Sequence, residues 1–257
     1  MDAQVSAFGE VVAQQAVHVL VAAALPGTVR VAEVDRYASR AGQLVEPHRH
    51  RRRRPVGCHA EAVRSGRRFL VLHGWQNRRP QEHWQWQLVE ALHRGGEQVL
   101  YPQLPDPDRP SLPDWTELLR AELAQLGAAE RVVVAHSLAV ALWLLAAPEL
   151  SLPERVDRVL LVSPPSPFVL ARNPEVAAFA QPRPDAAAVA AAAGSTRLVC
   201  SDDDPYCPET APVAYADLDV DIDMIPSGQH LDPDSGYGAW PSAFAWCLDP
   251  MVRLLAR

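Results

Sequence analysis

The chain has 257 residues, 48% of them hydrophobic, enough to bury one sizeable core, so one catalytic domain plus an appendage is the expected layout. A formal net charge of -7 argues against a nucleic-acid binder. All 24 basic residues are arginine, a bias that reads as a GC-rich genome, not as a functional signal.

Residues 1–66 differ from the rest. The apolar run at 16–25 is too short to span a bilayer, and no basic segment precedes it, so neither a membrane anchor nor a secretory signal is expected, and the protein is placed in the cytoplasm. The basic run at 48–54 lacks aromatic or apolar periodicity and reads as a solvated linker. We therefore expect an amino-terminal extension over 1–66, poorly ordered or partly helical, before a catalytic domain over 67–257. Val63 offers an alternative start codon. From Phe69 onward, apolar strand patterns begin at Phe69, Gln98, Val132, Val159, Arg197 and Val220. They alternate with helix patterns over 83–94, 114–126, 138–147 and 241–255, the rhythm of a mostly parallel sheet with helices on both faces. Gly95 and Gly96 stop the first of these helices. Residues 102–113 hold five prolines, a stiff loop suited to one wall of a site at the sheet's carboxyl edge. The proline-rich residues 163–184 follow a strand and are too short for a folded cap.

Residues 131–143 carry the strongest chemical signal. Val132, Val133 and Val134 lead through Ala135 and His136 into Ser137 and a helix pattern, the image of a nucleophile elbow. Small residues must stand two places either side of the serine, and Ala135 and Ala139 do. A serine capping an ordinary helix would give the same local string. Two later segments bear on the choice. Asp202, Asp203 and Asp204 follow the strand pattern at 197–201, and His230 follows the one at 220–225. Serine, acid, histidine, each just past a strand's carboxyl end, is the chain order of α/β-hydrolases.

The chemistry needs each residue type for its own reason. A serine hydroxyl attacks a carbonyl only if a base takes its proton, the role assigned to His230, and a carboxylate must fix the imidazole tautomer. Asp204 is the candidate acid because Pro205 holds the course of its loop. Asp202 and Asp203 read as solvated loop acids or helix caps. The tetrahedral oxyanion needs backbone donors, expected at the amides of Leu138 and Trp75, the latter reached because Gly74 lets the backbone approach.

The segments FLVLHGWQNRRPQEHWQW (69–86), VVVAHSL (132–138), SDDDPYCP (201–208) and GQHLDPDSGYGAW (228–240) resemble the family of small serine hydrolases that includes YdeN and the retinoblastoma-binding serine hydrolase. The resemblance covers about the last three quarters of the chain. It implies an α/β-hydrolase three-layer sandwich without a large cap domain, a Ser137-Asp204-His230 triad, and hydrolysis of small esters or amides. Ala139 and Gln229 depart from the glycines more usual in that family. Cys58, Cys200, Cys207 and Cys247 show no zinc-site spacing, so reduced thiols, no metal and no cofactor are expected. Trp75, Trp84, Trp86 and Trp240 accompany the site loops, as pocket walls or as core. The expected partner is a small ester, thioester or amide substrate, with no nucleic acid and no membrane. The competing expectation is a hydrolase-fold protein with a vestigial triad that binds a protein partner.

Overall fold

The computed structural model describes residues 66–180 and 184–257, so the extension expected from the sequence, with its apolar and arginine runs, lies outside the described residues. Six strands form one sheet: β1 (Arg67–Leu72), β2 (Gln98–Leu100), β3 (Glu130–His136), β4 (Val156–Val162), β5 (Ala193–Ser201) and β6 (Asp221–Ile225). Their order is β2-β1-β3-β4-β5-β6, and every neighbouring pair is parallel. Parallel strands need crossovers, and crossover helices cover both faces. This is why Val132, Val133 and Val134 can be apolar without alternation. Successive side chains go to opposite faces, and each face has its own layer to pack against.

On one face, Phe69, Val71, Val132, Val134, Leu160 and Val162 meet helix α1 (Trp84–Arg94) and helix α7 (Pro241–Leu248) through Trp84, Leu88, Leu92, Ala243 and Trp246. On the other, Leu70, Leu72, Val133, Ala135, Val159 and Leu161 meet α2 (Leu112–Gln125), α3 (Leu138–Ala146), α4 (Pro167–Ala171), α5 (Ala186–Ala192) and α6 (Ala211–Ala214). Each fully buried Leu, Val or Phe contributes about 1.5–3 kcal/mol of transfer free energy, so these two layers are the main source of stability. Helix α3 is apolar on nearly every side because it lies between the sheet and α2. Arg158, buried in β4, gives its Nε to Glu130 and its two terminal nitrogens to the carbonyls of Trp246 and Cys247, at 3.0 and 2.9 Å. Those carbonyls belong to the last turn of α7, where helix acceptors lack internal partners. The contact ties that helix to the sheet.

Four helices differ from the sequence reading: α7 is shorter, and α4, α5 and α6 add to the four helix patterns. The last helix stops at Leu248, not at 255, because Asp249 precedes Pro250 and takes an extended conformation (φ -140°, ψ 111°). Of the three added helices, α5 is the longest. It is a run of six alanines and one valine capped by Asp185, whose carboxylate accepts from the Ala188 amide at 2.9 Å. Between β4 and β5 the described residues hold only α4, a short 3-10 turn (Ala177–Phe179) and α5, and no cap domain.

Candidate active site

Strand β3 delivers Ser137 to the sheet's carboxyl edge. The turn into α3 holds it at φ 57°, ψ -124°, a conformation that costs a residue with a side chain about 1–3 kcal/mol. Its amide donates to the Val162 carbonyl at 2.9 Å, and its carbonyl accepts from Val140 at 2.8 Å, which pins the elbow from both sides. Ala135 and Ala139 are fully buried beneath it, where larger side chains would push strand and helix apart. Alanine is thus small enough here.

The structure brings the three candidate residues together. His230 Nε2 lies 2.9 Å from Ser137 Oγ, and His230 Nδ1 lies 3.0 Å from both carboxylate oxygens of Asp204. The carboxylate only accepts, so Nδ1 carries the proton and Nε2 is left as acceptor for the serine hydroxyl. Burial works to depress the His230 pKa. The Asp204 carboxylate, joined by that of Asp232, outweighs it, and the pKa is raised. Asp204 Oδ1 also accepts from the Tyr206 amide at 2.8 Å, and the Tyr206 ring packs on the imidazole with centroids 4.4 Å apart.

The β1–α1 loop lies directly on the elbow. A Cβ at Gly74 would sit 2.7 Å from Ser137 Cβ and 3.1 Å from its Oγ, so only glycine allows this approach. Among the described residues, the amides of Trp75 and Leu138 donate to no protein acceptor, the property that oxyanion donors require. The loop is braced by the proline-rich segment. Gln76 N–H donates to the Pro107 carbonyl at 2.8 Å and Trp75 Nε1 to that of Asp108 at 3.1 Å.

Two histidines beside the motifs escaped the sequence reading. His73 is fully buried, and burial lowers its pKa to about 4, so it is neutral. Its Nδ1–H donates to the Gly74 carbonyl at 2.8 Å and its Nε2 accepts from the Leu104 amide at 2.9 Å. It thereby joins the β1–α1 loop to the proline-rich loop. His136, whose pKa burial also drives well down, gives Nε2–H to the His230 carbonyl at 3.1 Å. Their adjacency to Gly74 and Ser137 was the available signal; their neutrality depends on burial, which is a tertiary property.

One expectation needs correction. Asp202 and Asp203 are exposed but are neither merely solvated nor helix caps, because each accepts a backbone amide of the histidine loop, from Ser227 and Gln229, both at 2.7 Å. Trp84 and Trp240 are buried and pack edge to face at 5.3 Å, as core. Trp75 is partly exposed, follows Gly74 in the β1–α1 loop and packs against the core. A separate groove of about 650 Å³ lies against α2 and the end of α3, lined by residues including Leu112, Arg120 and Glu149, and shares no residue with this site. Cys200, Cys207 and Cys247 are buried and unpaired. Among the described residues no group of three or more His, Cys, Asp or Glu could hold a metal ion, and no helix is long and apolar enough to cross a membrane.

A parallel sheet flanked by helices, with a serine on a strained strand-to-helix turn at its carboxyl edge, defines an α/β-hydrolase. Residues 69–247 match the serine hydrolase family, and the chain belongs to that family of hydrolases. Among solved structures it is similar to the ydeN gene product of B. subtilis, at 22% identity over 70% of this chain and 95% of that one, with a TM-score of 0.60. It is also similar to a YdeN-like hydrolase from Pectobacterium atrosepticum (19% identity, 72% and 91% covered, TM-score 0.55). The esterase domain of a Rhodothermus marinus protein shares the fold as well (17% identity, 72% and 88% covered, TM-score 0.54). No curated protein sequence matches.

Proposed function

We propose that the protein hydrolyses a small carboxylic ester, thioester or amide through an acyl-enzyme, with Ser137 as nucleophile, His230 as general base and acid, and Asp204 as the orienting carboxylate. The observation that carries this reading is the unbroken chain of hydrogen bonds from Ser137 Oγ through His230 to Asp204. Ser137 Oγ attacks the substrate carbonyl carbon while its proton passes to His230 Nε2. The oxygen that gains the charge faces the amides of Trp75 and Leu138. The bond to the leaving group then breaks and His230 returns the proton to it. Water repeats the sequence, with the same proton traffic, and releases the carboxylic acid and free Ser137. Asp204 stays ionised throughout and stabilises the imidazolium.

Ester chemistry in the Rhodothermus marinus domain of the same fold agrees with this reading. The test is labelling of the full chain with a fluorophosphonate, which reacts only with an activated serine, followed by mapping of the modified peptide. Modification at Ser137 is expected. A chain that stays unlabelled yet binds a protein partner would favour the vestigial-triad alternative. A panel of p-nitrophenyl esters and aminoacyl amides then ranks the substrate classes.

A further inference from the structure

The ladder between β5 and β6 ends at the register pair Ser201 and Ile225. Beyond it, side chains take over from backbone carbonyls. Asp202 Oδ1 accepts from Ser227 N–H at 2.7 Å, Ser201 Oγ accepts from Gly228 N–H at 2.8 Å, and Asp203 Oδ1 accepts from Gln229 N–H at 2.7 Å. Three consecutive amides are thus held, and the next residue is His230. Ser201 also donates its hydroxyl hydrogen to Asp203 Oδ1 at 2.5 Å, which fixes both acceptors in orientation.

The loop needs such holding. Ser227, Gln229 and Leu231 have φ of 52°, 49° and 50°, a left-handed conformation that residues with side chains disfavour. Released, they would relax toward extended backbone and swing the imidazole off Ser137 and Asp204 together. Gly228 leaves no slack, since a Cβ there would lie 2.7 Å from Leu231 Cδ2. We propose that Ser201, Asp202 and Asp203 form a clamp that positions His230, with Asp203 its principal member, an inference that rests on the triad reading above. Asp203 is principal because it holds the amide adjacent to His230 and orients Ser201. None of the three touches the reacting atoms. Their acceptor oxygens matter, and the charge of Asp203 is secondary.

The experiment compares Asp203→Ala and Asp203→Asn with the unmodified chain, using the best p-nitrophenyl ester for steady-state kinetics and proton NMR for the hydrogen on His230 Nδ1. Asp203→Ala is expected to lower kcat about a hundredfold, the order that an ångström of misplacement costs, with KM little changed. Its Nδ1 proton resonance should shift or be lost by exchange. Asp203→Asn keeps an Oδ1 acceptor for both donors and should restore most of kcat and the resonance. If Asp203→Ala does not fold, Ser201→Ala removes the Gly228 acceptor and is read against the same expectations. Unchanged kcat in the alanine variant, an asparagine variant as impaired as the alanine one, or an unmoved Nδ1 resonance each overturns the clamp. Failure of the triad reading is separately visible, as no fluorophosphonate labelling of the unmodified chain, and the Nδ1 resonance still decides the clamp in that case.

Discussion

At the scale of single residues, the site depends on proton positions that hydrogen-bond geometry assigns. Ser137→Ala removes the hydroxyl and leaves a residue that fits beside Gly74. We expect an unchanged thermal midpoint, complete loss of fluorophosphonate labelling and a drop of about a millionfold in turnover. Hydrolysis above a heat-killed control would refute the nucleophile. Asp204→Asn should cost on the order of ten-thousandfold in kcat, because an amide in place of the carboxylate favours the wrong imidazole tautomer. Asp202→Asn and Asp203→Asn keep their acceptor oxygens and should cost far less; parallel kinetics on the three variants settle the ranking. As the proposed base, His230 must be neutral to accept the serine proton. Because its pKa is raised, kcat/KM should fall with decreasing pH through a midpoint above the ordinary 6.5, as a pH-rate profile would show. A midpoint below that value would contradict the dominance of Asp204 and Asp232 over burial.

At the scale of elements, what matters is which loops touch. The β1–α1 loop touches the elbow at Gly74, and the proline-rich loop braces it through His73, Leu104 and Pro107. An alanine at position 74 would collide with Ser137 Cβ, not with a flexible side-chain end, so backbone must yield. Gly74→Ala should therefore lower kcat about a hundredfold while leaving most of the fold's stability. Kinetics beside a thermal melt check it; unimpaired kcat would show that the loop moves aside freely. The same reasoning explains the misjudged helices. Helix α7 ends where a backbone rule about proline acts, although the apolar pattern continues through Met251, Val252 and Leu254. Helix α5 lacks the mixed polar and apolar pattern that marks an amphipathic helix, since alanine serves both sides.

At the scale of the whole molecule, the sheet's two ends do different work. At the carboxyl edge stand Ser137, Asp204 and His230. At the opposite end, arginines staple strands to their neighbours: Arg67 to Glu97, Arg158 to Glu130 and α7, and Arg197 to Asp223. The family match spans 69–247, and both core layers are built from residues in that range apart from Leu254. We therefore propose that residues 67–257 form the catalytic unit, and that a chain beginning at Val63 retains fold and activity. Expressed beside the full chain, it should show the same thermal midpoint and the same turnover of the best ester. A loss of several degrees together with lost activity would show that residues 1–62 belong to the working enzyme.

The order of strands and helices, the elbow and the places of the three site loops were legible in the sequence, because they follow from local patterns. These are apolar runs of strand length, small residues around Ser137, and acid and histidine just past strand ends. The choice among three adjacent aspartates was not local in the same way. Asp202, Asp203 and Asp204 are chemically alike, and only the β5–β6 register and the left-handed residues around His230 turn one toward the imidazole and two toward backbone amides. The tryptophans and the flanking histidines likewise took their roles from burial. Trp84 became core, Trp75 stayed partly exposed, and His73 and His136 became neutral struts, because the proximity of distant segments sets both solvation and hydrogen-bond partners.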